Sequence, residues 1–222
     1  VAELRSAQLE RSGTVIDSES SDGAAKKLAE YLISNGVFET KRGDAGAQPR
    51  RASPQGADPK KSIWVVAEML GDDLRPVSFE LLGKAQELAD HTGGEVAALL
   101  VGGPSARKQV GLLGAHGADT VYLVADDSLA TYDTARYTAI LASAITEHRP
   151  YAVLLPSTSN GRDWAPRVAA RLDLGLTGDC VDFEFDSDGE LAQIKPAFGG
   201  NIVSPIYSTT SPIMATARPG ML

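Results

Sequence analysis

The chain has 222 residues, of which 43 % are hydrophobic and 23 % charged, enough for one full domain and a smaller piece. Its mean hydropathy is -0.11, and no apolar run approaches the roughly 18–20 residues that a membrane helix needs. The formal net charge of -8 comes entirely from residues 61–222, because residues 1–60 carry equal numbers of acidic and basic side chains. An acidic globular part argues against nucleic acid as a partner, since phosphate binding needs clustered Lys and Arg. A single cysteine, Cys180, rules out an internal disulfide, and with three histidines it makes a Cys/His zinc site a poor expectation. The start, Val1-Ala2-Glu3-Leu4-Arg5, lacks the apolar core of a signal peptide, so the expectation is an intracellular protein with a cut or processed N-terminus.

In chain order, Ser20-Ser21-Asp22 offers N-cap oxygens to a helix carrying Ala25, Leu28, Ala29, Leu32 and Ile33 on one face and closed by Asn35-Gly36. One amphipathic helix cannot bury its own apolar face, so residues 1–38 are expected to dock on something. Residues 39–60 contain no apolar side chain larger than alanine and read as a flexible linker. A basic recognition arm at Arg50-Arg51 is the rival reading.

From Ser62 the pattern alternates. Strands are expected at 63–68, 95–101, 119–124 and 151–155, with helices at 74–90, 105–113, 134–148 and 160–172. This order implies a parallel sheet with helices on both faces, a three-layer α/β/α fold. After Gly175 the order breaks. Residues 179–186 and 190–195 flank Ser187-Asp188-Gly189 as a hairpin, and further strand-like runs lie near 202–208 and 213–217. The expectation is a mostly parallel sheet with an antiparallel extension.

The common catalytic fingerprints are missing. There is no dinucleotide G-x-G-x-x-G after a strand, no phosphate loop and no nucleophile elbow. Asp72-Asp73 and Asp126-Asp127 read as turn or cap residues, and Cys180 as a buried filler.

The most informative stretch runs from strand four into the next helix, Leu154-Leu155-Pro156-Ser157-Thr158-Ser159-Asn160-Gly161-Arg162-Asp163-Trp164. In a parallel sheet, ligands sit at the carboxyl ends of strands, and the free amides of a helix start favour an anion. Ser159, Asn160, Gly161 and Arg162 are therefore candidate cofactor-binding residues. The alternative is that Ser159, Asn160 and Asp163 cap the helix while Arg162 pairs locally or across an interface. A second stretch, Phe198-Gly199-Gly200-Asn201, is either a loop between strands or a contact loop facing a partner or a flavin.

These residues carry a resemblance. Gly161-Arg162-Asp163-Trp164-Ala165-Pro166-Arg167-Val168-Ala169-Ala170-Arg171-Leu172 is similar to a run in electron-transfer flavoprotein α subunits. So are Gly175-Leu176-Thr177-Gly178-Asp179-Cys180, Pro196-Ala197-Phe198-Gly199-Gly200-Asn201 and Met214-Ala215-Thr216-Ala217-Arg218-Pro219-Gly220-Met221, in the same order. Residues 12–38 resemble the C-terminal tail of the β subunit more weakly. The resemblance implies residues 61–222 as the N-terminal α domain, with an adenine nucleotide alpha hydrolase-like fold, preceded by a β-like tail at 1–38 and the linker at 39–60. It implies a heterodimeric, cytoplasmic electron carrier of bacterial or archaeal type, working between flavin dehydrogenases, as in fatty acid β-oxidation, and an acceptor oxidoreductase. FAD is then expected in a second α domain absent here, AMP or a second FAD in the β subunit, and no cofactor in this piece alone. Arg162, Asp163, Gly199, Gly200 and Asn201 become candidate interface residues. The competing function is a stand-alone adenine-nucleotide module of universal-stress-protein type, whose discriminator is a glycine-rich phosphate loop after strand four. A hydrolase or ligase would need a nucleophile or metal site that the sequence does not display.

Overall fold

Ile63-Trp64-Val65-Val66-Ala67 is apolar throughout and rich in large side chains, a pattern suited to a strand buried on both faces. In the computed structural model, which describes residues 5–6, 58–197, 200 and 202–222, it is the central strand β2 (Ile63–Ala67), and each of its residues is buried. A short strand β1 (Arg5–Ser6) precedes it. The small hairpin β3 (Met69–Leu70) and β4 (Asp73–Leu74) follows, then helix α1 (Val77–Thr92) and strand β5 (Val96–Gly102). A 3-10 segment, Pro104–Gln109, leads into α2 (Val110–Ala115), β6 (Thr120–Ala125), α3 (Thr134–His148), β7 (Ala152–Pro156) and α4 (Ser159–Leu172). Five strands finish the chain: β8 (Leu176–Cys180), β9 (Asp182–Phe185), β10 (Leu191–Ala197), β11 (Ile202–Ile206) and β12 (Ile213–Ala217).

The main sheet has the order β6-β5-β2-β7-β12-β8 and every pair in it is parallel. Because strand side chains alternate, β2 feeds two cores at once. Ile63, Val65 and Ala67 pack with Leu81, Leu82, Ala85 and Leu88 of α1 on one face. Trp64 and Val66 pack with Leu141 and Ile145 of α3 and Trp164 and Val168 of α4 on the other. This is the expected three-layer fold. α1 ends at Gly93, whose φ of 69° is the left-handed cap conformation that glycine enters without strain.

The antiparallel strands form a sheet of their own, β1-β11-β10-β9. β8 runs straight into β9 through Val181, whose N–H bonds to Ile194 O at 2.8 Å, so one stretch of chain passes from the parallel sheet into the antiparallel one. Phe183 and Leu191 carry the second sheet onto the α1 core. His91 stacks on Phe185 at 3.9 Å, and Lys84 reaches Asp182 at 2.9 Å. The last run, 213–217, does not extend the antiparallel part. It returns to the parallel sheet and inserts between β7 and β8. The expected helix at 105–113 is a 3-10 segment followed by a short α-helix, and the β3–β4 hairpin is additional. The helix expected at residues 22–36, Arg50-Arg51, all of the expected linker before Asp58, and Phe198, Gly199 and Asn201 lie outside the described residues.

Candidate functional site

In the sheet order, β5 and β6 lie on one side of β2 while β7 lies on the other. The direction of winding reverses there, and a crevice is expected beyond the carboxyl ends of β2 and β7. A cleft of about 610 Å³ opens next to it, beyond the carboxyl ends of β2 and β5, lined among others by Glu68, Asp72, Tyr132, Tyr137, Asn160 and Trp164.

The loop from β7 to α4 organises the neighbourhood through two adjacent hydroxyls that reach opposite ways. Thr158 is the N-cap of α4: its Oγ1 accepts the Gly161 N–H at 3.1 Å and donates to Glu68 Oε2 at 2.6 Å. Asn160 Nδ2 donates to Glu68 Oε1 at 3.0 Å, and Arg75 Nε lies 3.1 Å from the same oxygen. The Arg75 contact is ionic rather than a directed hydrogen bond. Glu68 is itself buried and stands immediately after β2, its own N–H bonded to Ser78 Oγ at 3.1 Å. A carboxylate of the protein thus sits at the helix start, where an external anion would be drawn.

Ser157 turns to the other side. Its Oγ donates to Asp179 Oδ1 at 3.1 Å and accepts from Arg162 Nε at 3.0 Å. Arg162 also reaches Asp179 Oδ1 at 3.1 Å, and Arg218 donates to Asp179 Oδ2 through Nε at 3.2 Å and through Nη2. The Arg218 guanidinium is the main cause that holds the Asp179 carboxyl below the usual carboxylate range, with the Ser157 hydroxyl and the Arg162 charge adding to it against the opposing effect of burial. Asp179 has φ of 65°, and its N–H bonds to Thr216 Oγ1 at 2.9 Å, which joins β8 to β12 at an irregularity in their pairing. A smaller hollow of about 250 Å³ lies here, with Lys195 on its wall.

Asp163 forms a third node. It accepts from the Tyr132 hydroxyl at 2.8 Å, from Thr134 Oγ1 and from Arg167 Nε at 3.2 Å, tying α4 to the start of α3. The Thr134 and Tyr132 hydroxyls lower its carboxyl pKa. Burial, with Asp163 adding to it, pushes the Tyr132 phenol up to about 12.

Of the sequence candidates, Asn160, Gly161, Arg162 and Asp163 all lie at this edge, but Arg162 and Asp163 do not pair with each other. Asn160 and Arg162 are engaged with carboxylates of the chain, and Ser159 is the first residue of α4 rather than its cap. Gly161 is required by close approach: a Cβ there would lie 1.8 Å from Pro156 O. Gly200 has a φ of 89°. Ser157, Thr158 and Arg218 stand in stretches that the sequence marks without giving them individual roles, and Glu68 stands outside those stretches. An acid directly after a buried parallel strand is the signal that points to Glu68, since that position is at a carboxyl end. Asp126 caps the turn after β6, as expected of a paired acid in a loop. Cys180 is fully buried, and burial pushes its thiol up to about 12.

As a seat for a flavin dinucleotide or a mononucleotide the cleft fits poorly. Both charged residues on its lining, Glu68 and Asp72, are acidic. A pyrophosphate or phosphate at the α4 start would meet the Glu68 carboxylate rather than free amides.

Residues 63–222 match the electron transfer flavoprotein domain. The chain belongs to the electron transfer flavoprotein family. It is 40 % identical over 163 residues to the electron transfer flavoprotein subunit alpha of Clostridium acetobutylicum, covering 72 % of this chain and 48 % of that one. It is 36 % identical over 177 residues to the protein FixB of Rhizobium meliloti, covering 78 % and 50 % respectively. A third relative is the lactate dehydrogenase (NAD(+),ferredoxin) subunit LctC of Acetobacterium woodii, 39 % identical over 159 residues, with 71 % of this chain and 38 % of that one covered. The chain therefore spans about half the length, or less, of these relatives. Among the described residues, no helix is long and apolar enough to cross a membrane.

Proposed function

We propose that residues 61–222 are the first domain of an α-type subunit of an electron carrier, and that the domain is an interface scaffold rather than the seat of the redox chemistry. The observation that supports this most is the family match combined with the state of the polar residues at the sheet edge. Asp179, Arg162, Arg218 and Ser157 are tied in one group and Glu68, Thr158 and Asn160 in a second, and the two groups join β2, β7, β8, β12 and α4. Such a network fixes the shape of a surface.

In this reading the carrier works between flavin dehydrogenases and an acceptor oxidoreductase, its FAD lies in a separate domain, and the partner is a β subunit holding AMP or a second flavin. The LctC name attaches a chain of this kind to a dehydrogenase. Residues 12–38 are read as the equivalent of a β-subunit tail. Arg162, whose side chain is 61 % exposed, offers its outer face to the partner, and Gly199, Gly200 and Asn201 are read as further contact residues. The test is to mix the chain with an electron-transfer flavoprotein β subunit and follow assembly by size exclusion with light scattering. A one-to-one complex is expected, weakened by about 1–3 kcal/mol in Arg162→Ala if the guanidinium is desolvated at the interface. No complex at the highest soluble concentration overturns the reading.

A further inference from the structure

The cleft beyond β2 and β5 is not absorbed by a scaffold role. Its aromatic wall is built by Tyr132, Tyr137 and Trp164, whose rings meet edge-to-face at 5.0 Å and 5.3 Å. Tyr137 is held by a bond from its hydroxyl to Leu129 O at 3.0 Å. Trp164 is only 3 % exposed, and its indole N–H has no acceptor among the described residues, although an indole donor buried in a protein ordinarily finds one. At the other end, Glu68 has about four acceptor positions, of which the Thr158 and Asn160 bonds take two, while Arg75 stands beside Oε1 as an ion pair. Acceptor capacity is left for a hydroxyl that enters from the cleft. The volume of about 610 Å³ suits a small organic ligand rather than a water or an ion.

The charge of the cleft then selects among such ligands. Among the described residues, Glu68 and Asp72 are its charged lining residues and no Lys, Arg or His lines it, the Arg75 that pairs with Glu68 standing outside the lining. The α4 amide end, where a phosphate would otherwise be welcomed, faces the Glu68 carboxylate. We propose that this cleft binds a phosphate-free ligand of the nucleoside class, with its ring against the Tyr132–Tyr137–Trp164 wall and a sugar hydroxyl on Glu68, and that Glu68 is the residue that excludes the phosphorylated form. The proposal stands independently of the electron-carrier reading, because it needs no partner subunit and no flavin.

The experiment is titration of the full chain with adenosine and with AMP, read by calorimetry and by the tryptophan emission. Adenosine is expected to saturate, and AMP to bind at least about tenfold more weakly because its phosphate meets like charge. Glu68→Gln, checked for folding by its near-ultraviolet spectrum, narrows that gap by at least about threefold. Ala130→Phe places a ring in the cleft from an exposed lining position and abolishes adenosine binding. The proposal is overturned if adenosine fails to saturate, if AMP binds as well as adenosine, or if Ala130→Phe leaves adenosine binding intact. Should Glu68→Gln fail to fold, the native selectivity and the Ala130→Phe result decide the matter by themselves. A folded Glu68→Gln with an unchanged gap removes Glu68 as the selecting residue.

Discussion

Replacing Asp179 by asparagine removes the charge at the node between β7, β8 and β12 while keeping its shape. The carboxylate is 31 % exposed, and Arg218 and Arg162 are 43 % and 61 % exposed, so water screens both ion pairs. Exposed pairs contribute about 0.2–1 kcal/mol each, and a weakened bond to Ser157 adds a fraction more, so the expected loss at neutral pH is about 1–2 kcal/mol. A second contribution lies in the backbone. Asp179 has φ of 65°, a conformation that asparagine tolerates and alanine resists, so Asp179→Ala should lose about 1 kcal/mol beyond Asp179→Asn. In a domain of this size each kcal/mol shifts Tm by about 2–4 °C. The pH dependence has a definite sign. The folded carboxyl pKa is depressed, chiefly by Arg218, so the stabilisation is fully present above the unfolded value of about 3.9 and is lost as pH falls through the folded value. Urea unfolding of parent, Asp179→Asn and Asp179→Ala at neutral and acid pH checks this. An Asp179→Asn variant as stable as the parent at neutral pH refutes the electrostatic account, as does a deficit that persists undiminished once the parent's carboxyl is protonated. Equal stability of the alanine and asparagine variants refutes the backbone part.

Gly161→Ala should destabilise by about 3 kcal/mol or more, or fail to fold, because its Cβ would lie 1.8 Å from a backbone oxygen that no rotamer change can move; soluble yield and a denaturation curve read this, and a wild-type midpoint would mean that the α4 start is looser than described. Cys180 should be inert to a thiol reagent in the native protein and react once it is unfolded, since it is fully buried with its thiol pushed up to about 12; rapid native labelling contradicts the packing of β8. The purified chain should show no flavin band in its visible spectrum, because the lining of the main cleft carries no cation for a pyrophosphate; stoichiometric flavin absorbance would place a flavin site within residues 1–222.

The parallel strands were legible because each of β2, β5 and β7 is buried on both faces, which writes a continuous apolar run into the chain. The same run does not encode a neighbour. Ile213–Ala217 follows antiparallel strands in sequence and was expected to pair as they do, whereas it occupies a slot between β7 and β8 that only the assembled sheet defines. Residues 179–186 read as one strand because the break at Val181 is a change of sheet and not of composition. The cap of α4 was misplaced for a local reason: Thr158, Ser159 and Asn160 are all competent caps, and where β7 ends at Pro156 decides which one serves. The site was half legible. Asn160 to Asp163 announced a polar helix start, but their partners Glu68, Asp179 and Arg218 are distant in sequence and meet them only through the strand order.

That distance explains why a motif dense in polar residues need not mark a chemical centre. Ser157 and Thr158 are adjacent, yet one is bonded toward β8 and the other toward β2, because β7 lies between those strands in the sheet order. A hydroxyl, an amide and a guanidinium at the head of α4 are what is needed to satisfy two carboxylates that the neighbouring strands deliver to the same edge. Leaving either carboxylate unmatched would cost more than its partners contribute, since a buried or partly buried charge without donors loses hydration and receives nothing in exchange. The Gly-Arg-Asp run therefore has a sufficient reason in the fold itself. The outer face of Arg162 and the acidic mouth of the cleft are what remain for a partner or a ligand to read.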